Sequence, residues 1–179
     1  MFIGFFNLWY YLIAIIFNMK TLSYFLLLLT IPVLFIFMAN KSGSQGGYSN
    51  SPGDNGNSCI ECHNGSVNSV NGWITTNIPE NGYITGEKYT ITLTAEDLKA
   101  VRFGFEITAE DSEFKKVANF TLTNTSETKL TNAGNAVTHN ASGITPVNHQ
   151  KTWRFQWTAP HAHAGPVSIY APVNAANRN

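Results

Sequence analysis

Tyr89-Thr90-Ile91-Thr92-Leu93-Thr94-Ala95 is the stretch that decides the fold. Apolar side chains occupy every second position and threonines fill the places between. On a pleated strand successive side chains point to opposite faces, so this pattern puts one face in a core and the other against polar surroundings. Threonine and isoleucine are β-branched and suit that geometry. The same period continues on both sides. Trp73 to Ile78 precedes it as a short strand. Val101, Phe103, Phe105 and Ile107 alternate with Arg102, Gly104 and Glu106 after it. Val117 to Leu122, Thr128 to Thr131 and Asn135 to His139 are further strands. Trp153, Phe155 and Trp157 alternate with Arg154 and Gln156, and Val167, Ile169 and Ala171 close the series. Breaks fall at Pro79 to Gly86, Glu110 to Glu113, Thr123 to Ser126, Ala133-Gly134 and Ser142 to Asn148. Short strands at this spacing predict an all-β antiparallel sandwich over 73–179, long enough for one core. Glu96 to Ala100 is the only segment there that reads as a helical turn. Trp153, Phe155 and Trp157 read as core; a carbohydrate platform or a cofactor-facing wall is the alternative.

Upstream of the strands, residues 40–72 have a different composition. Gly43, Gly46, Gly47, Pro52, Gly53 and Gly56 stand among serines and asparagines up to Ser58. This reads as a linker, too poor in apolar groups to form a core. At its end comes Cys59-Ile60-Glu61-Cys62-His63, the C-x-x-C-H spacing of c-type haem attachment. Two thiols on one tight turn can add to the two vinyl groups of one porphyrin, and the adjacent imidazole binds iron as proximal ligand. These are the only two cysteines in the chain. They are too closely spaced for a useful staple. A chance match, a zinc site completed by His161 and His163, and a redox dithiol remain open. Zinc wants four ligands and no second C-x-x-C is present. A redox dithiol usually follows a strand at a helix start, and here Gly/Asn/Ser-rich sequence precedes it.

If haem is bound, His63 is the proximal ligand. All three methionines, Met1, Met19 and Met38, lie in the amino-terminal segment, so a processed chain has none for the sixth position. His139, His149, His161 and His163 are the distal candidates, with His139 preferred because it ends a strand. An open sixth position is the alternative.

Residues 1–39 are the third compositional zone. Phe2 to Phe17 and Leu22 to Met38 are apolar stretches separated by Asn18-Met19-Lys20-Thr21. Read from Met19, Lys20 is a short basic region, Leu22 to Met38 an apolar one and Ala39 a small residue near a cleavage point, as in a signal peptide. Met19 is then the true start. A helical membrane anchor is the competing reading, although the two stretches, roughly 16 and 17 residues, are short for spanning. No cysteine ends the apolar run, which excludes a lipoprotein anchor. Either way the remainder is expected to be exported to the periplasm, cell surface or medium.

The formal net charge is +0, from 11 basic and 11 acidic residues, and no basic patch points to nucleic acid. No nucleophile–base pattern, paired carboxylates or phosphate loop supports an enzyme, and Glu110-Asp111 reads as a solvated turn. Four glycosylation sequons, beginning at Asn64, Asn119, Asn124 and Asn140, are assigned no role.

The segments "GGYSNSPGDNGNSCIECHNG", "VNGWITTNIPENGYITGEKYTITLTA", "FGFEITAE", "TNAGNAVTH", "KTWRFQWTAP" and "VSIYAPVNAAN" together resemble the bacterial Reeler-like domains, also called choice-of-anchor V domains. The resemblance covers essentially everything after Gly46. It implies an immunoglobulin-like β-sandwich behind an exported, irregular arm that carries haem c at Cys59, Cys62 and His63. It implies a secreted or surface protein and no particular reaction. The family usually continues into a final strand where this chain stops, at Asn174-Ala175-Ala176-Asn177-Arg178-Asn179, as expected of a truncated or frameshifted gene. Electron transfer with an unidentified redox partner is the leading expectation. The alternative is an adhesion module for a surface glycan or protein, its C-x-x-C-H arm vestigial or binding another metal.

Overall fold

The computed structural model describes residues 21, 23, 24, 42–161 and 164–177. The chain divides into two units, Met1–Asn40 and Lys41–Asn179. In the first, only Thr21, Ser23 and Tyr24 are described, all helical. The expected leader or anchor over 1–39 and the candidate ligand His163 therefore lie essentially outside the described residues. No helix among the described residues is long and apolar enough to cross a membrane.

The second unit is a sandwich of two antiparallel sheets. Among the described residues nine strands build it: β1 Ile74–Thr76, β2 Lys88–Glu96, β3 Arg102–Glu110, β4 Phe120–Leu122, β5 Thr128–Thr131, β6 Ala136–His139, β7 Gln150–Thr158, β8 Ser168–Tyr170 and β9 Val173–Ala176. One sheet has the order β1-β2-β7-β4; the other has β5-β6-β3-β8, with β9 also on β3. β2 and β7 pair along nine residues, from Lys88 opposite Thr158 to Glu96 opposite Gln150. That register places Tyr89, Ile91 and Leu93 opposite Trp157, Phe155 and Trp153, so apolar side chains share one face. Facing them, β3 contributes Phe103, Phe105, Ile107 and Ala109, all buried.

The alternating aromatics are core, as their period requires. Trp153, Phe155 and Trp157 are each no more than 2% exposed, which rules out a surface platform made of these rings. Phe105 and Trp153 have ring centroids 4.5 Å apart, and Phe155 lies 5.6 Å from Phe120, edge to face. Both buried indoles keep a partner: Trp153 Nε1–H donates to the Gly143 carbonyl and Trp157 Nε1–H to that of Val117, each at 2.8 Å.

Three local expectations need correction. Glu96 to Ala100 is not a helical turn. β2 runs through Glu96, and the Asp97 carboxylate then accepts the amide hydrogens of Lys99 and Ala100, closing an Asx turn. Val117 to Asn119 stay outside β4; the Val117 amide instead donates to the Ala109 carbonyl of β3 at 2.9 Å. The series Val167, Ile169 and Ala171 gives only the short β8, and a strand not expected from the sequence, β9, follows Pro172; the two pair with different stretches of β3.

β3 departs most from a simple alternating strand. From Phe105 to Glu110 every residue is buried, on both faces. Phe105, Ile107 and Ala109 fill the core. Glu106, Thr108 and Glu110 face the other way and ought to meet water. Thr108 Oγ1 donates to the Asn135 carbonyl, and the two carboxylates are covered by the arm.

Candidate cofactor-attachment site

Residues 42–58, which composition reads as an unattached linker, lie across β3 and β6. Hydrogen bonds replace apolar burial as the means of attachment. The Ser44 amide donates to Thr138 Oγ1 at 3.0 Å, and Thr131 Oγ1 donates back to the Ser44 carbonyl at 3.2 Å. The Gly47 and Tyr48 amides both donate to Glu106 Oε1, at 2.9 and 3.2 Å. Pro52–Asp54 forms a 3-10 turn started by Ser51, and Gly53 N–H donates to Glu110 Oε2 at 3.1 Å. Glycine is required there by contact: a Cβ on Gly53 would stand 2.5 Å from Glu110 Oε1. Gly46 has φ +99, and a Cβ on it would lie 2.7 Å from the backbone nitrogen of Asn132. The glycines that suggest a flexible linker therefore also permit close backbone approach.

An ion cluster locks the middle of the arm. Lys116 Nζ lies 2.8 Å from Asp54 Oδ1 and 2.7 Å from Glu110 Oε1. It also donates to Ser51 Oγ, which donates to Glu110 Oε1. Ser49 Oγ donates to Asp54 Oδ2 in a very short bond. Ser49, Ser51, Asp54 and Glu110 are all buried, so this cluster is shielded from the solvent that weakens surface pairs. Burial by itself would push the Asp54 carboxyl upward. The hydrogen bond and charge of Lys116, with the bonds from Ser49, outweigh it and hold the group below its ordinary value of 3.8.

This shift sets the sign of the pH response. A carboxyl depressed in the folded state contributes stability that is fully present above its unfolded value and is lost as pH falls through the folded one. Acidification below about pH 4 is therefore expected to weaken arm docking. Amide hydrogen exchange should show Asn50 and Asn57 losing protection at pH 3 relative to pH 6. A D54N variant should remove Asp54's part of that dependence. Equal arm protection at both values would contradict the assignment.

The arm delivers the C-x-x-C-H segment. Asn50 N–H donates to the Asn57 carbonyl at 2.7 Å, closing a loop that sets Ser49 beside Ser58. Cys59–Glu61 then forms a 3-10 turn. The amides of Cys62 and His63 both donate to the Cys59 carbonyl, at 3.3 and 3.0 Å. One turn thus carries all three motif residues. Cys62, His63 and every residue onward to Gly72 are exposed, whereas Cys59 is half-buried. Burial pushes the Cys59 thiol up to about 11, and the negative charges of Glu106 and Cys62 act in the same direction. A redox dithiol needs a thiolate held at low pKa, so this environment disfavours that reading. Among the described residues no three His, Cys, Asp or Glu side chains are grouped as they would be around a metal ion; His163, a candidate ligand of the zinc alternative, lies outside them.

The residues fit covalent haem in part. Cys62 and His63 are open to solvent, and among the described residues His63 makes no hydrogen bond or ion pair through its side chain. Cys59 is half-buried and fits only if its sulfur becomes accessible.

The distal candidates are dispersed. His139 ends β6, and its Nδ1 accepts the Phe105 amide hydrogen at 3.1 Å. A backbone N–H can only donate, so the neutral ring carries its proton on Nε2. Iron-bound histidines usually donate from their second nitrogen instead. Burial holds His139 below its ordinary 6.5, with Lys129 adding to the effect. Binding iron would thus require the ring to give up its bond to Phe105. His149 is exposed in the tight turn before β7, where its carbonyl accepts from Asp97. His161 is exposed near Gly86. Sequence reasoning missed Glu106, Glu110 and Lys116. The available signal was acidic residues inside the "FGFEITAE" strand, opposite a serine- and glycine-rich segment.

A two-sheet antiparallel sandwich with a polar arm clasped to one sheet defines this chain as an all-β domain carrying a motif-bearing extension. More particularly, the chain belongs to the Reeler domain family, whose model matches residues 71–178. Among solved structures it is similar to the Reelin-N domain of F-spondin, at 25% identity and a TM-score of 0.47 over 58% of this chain and 72% of that one. It is also similar to the reeler domain of human F-spondin, at 22% identity and a TM-score of 0.45 over 59% of this chain and 77% of that one. No curated protein matches. The family match begins at 71, so the arm and its C-x-x-C-H motif lie outside it.

Proposed function

We propose that this chain is an exported c-type haem protein in which a Reeler β-sandwich carries a covalently tethered haem for electron transfer. The observation that carries the reading is the Cys59–His63 turn, which brings two thiols and an imidazole onto one 3-10 turn with Cys62 and His63 exposed and Cys59 half-buried. Cys59 and Cys62 are the attachment points and His63 the proximal ligand. Covalent attachment removes the need for a deep pocket, which suits a motif followed by exposed chain. Haem supplies a one-electron iron couple; the protein supplies the ligand, the tether and a rigid platform. A solvent-open edge favours electron exchange over controlled chemistry on a bound small molecule. Its partner is then a second redox protein, and its place is outside the cytoplasm.

The second reading is a surface-binding or adhesion module without functional haem. It is favoured by the half-buried state of Cys59 and by the family match, which covers the sandwich and leaves out the motif.

Expression with a cytochrome c maturation system separates the two. The haem reading expects a c-type pyridine haemochrome, with no methionine–iron charge-transfer band in processed protein and a potential well below that of a His/Met cytochrome. H63A should abolish normal proximal ligation. Absence of a haemochrome in exported, folded protein would leave the adhesion reading.

A further inference from the structure

We propose that the docked arm makes the two cysteines chemically unequal, with Cys62 the first site of covalent attachment and Glu106 the residue that holds Cys59 back. This rests on the haem reading for the identity of the covalent partner; the inequality itself rests on the arm.

The geometry is specific. Cys62 is exposed and Cys59 half-buried, directly after Ser58, which is only 3% exposed. The Asn50–Asn57 bond closes the loop that separates the Gly47–Tyr48 stretch from Cys59. Glu106 is 1% exposed, and its Oε1 accepts both the Gly47 and Tyr48 amides. Its Oε2 has no hydrogen-bond partner among the described residues. Glu106 thus pins the arm at Gly47 and Tyr48, and its charge reaches the Cys59 thiol. It touches no reacting atom and is a positioning residue. A thioether at Cys62 can form with the arm docked, whereas one at Cys59 requires local opening.

The first step is balanced without an oxidant. The Cys62 S–H bond and the π bond of one vinyl group break. Sulfur bonds to the vinyl carbon next to the ring, and a proton ends on the terminal carbon. The second addition repeats this at Cys59 after the arm opens.

The test uses the haem-free full chain and N-ethylmaleimide, with peptide mass spectrometry following each cysteine. In the folded protein Cys59 is expected to react at least about tenfold more slowly than Cys62. E106A should bring Cys59 to within a few-fold of Cys62 without changing Cys62. E106Q should keep Cys59 slow, because the amide oxygen still accepts both backbone hydrogens; this rescue separates pinning from a charge effect. Equal rates in the unsubstituted protein, or a Cys59 rate unmoved by E106A, would overturn the proposal. Should E106A unfold, the unsubstituted protein carries the test. The Gly47 and Tyr48 amides should exchange no more slowly than Cys59 alkylates, and Cys59 reacting well ahead of their opening would also overturn it. None of these rates needs haem, so failure of the haem reading and failure of this one are read separately.

Discussion

Replacing Lys116 by methionine is expected to cost about 3–5 kcal/mol of stability, because it leaves two buried carboxylates facing each other with no cation between them. Asp54 and Glu110 both lie within 3 Å of Lys116 Nζ, and their side chains are 5% and 0% exposed. The loss should appear first as detachment of the arm. Exchange protection at Asn50, Gly56 and Asn57 should fall before that of β2 and β7. Adding E110Q to K116M should restore part of the stability, since one of the two uncompensated charges is gone. A double variant no more stable than K116M alone, or a K116M loss below about 1 kcal/mol, would mean that the cluster does not hold the arm.

Trp153→Ala is expected to be comparably severe, at about 3–5 kcal/mol, through a different cause. It empties the centre of the core opposite Leu93, removes the ring packed at 4.5 Å against Phe105, and orphans the Gly143 carbonyl. Chemical denaturation of W153A and W153F reads the parts. The phenylalanine variant keeps a ring and forfeits the hydrogen bond, so it should lose distinctly less. Equal losses would make the Nε1–Gly143 bond, rather than packing, the main contribution. A small loss for W153A would contradict the central placement of this side chain.

The sandwich was legible because its strands obey a period that only a two-faced sheet satisfies. Ile91, Leu93, Phe155 and Trp157 alternate with polar neighbours along β2 and β7, and every expected strand has a counterpart. β3 shows where that reasoning stops. Glu106 and Glu110 sit at positions a sheet would give to water, and nothing local says that the chain returns to cover them. The cover comes from Ser44 to Ser58, whose glycines and serines give the same composition as a free linker. Their attachment depends on pairing with acids some 60 residues away, a long-range match of hydrogen bonds that periodicity does not encode. The site was legible in its chemistry and not in its setting. Cys59, Cys62 and His63 announce themselves by spacing, while the unequal burial of the two thiols follows from the arm.

Intact mass reads a covalent bond between haem and the Cys59–His63 turn without any intermediate inference. Processed protein exported from a host with cytochrome c maturation should weigh one haem more than its polypeptide. The addition should survive acid–acetone extraction and vanish in a C59S/C62S variant of equal stability. A folded protein with the bare polypeptide mass, under conditions that load a control cytochrome c, would contradict it.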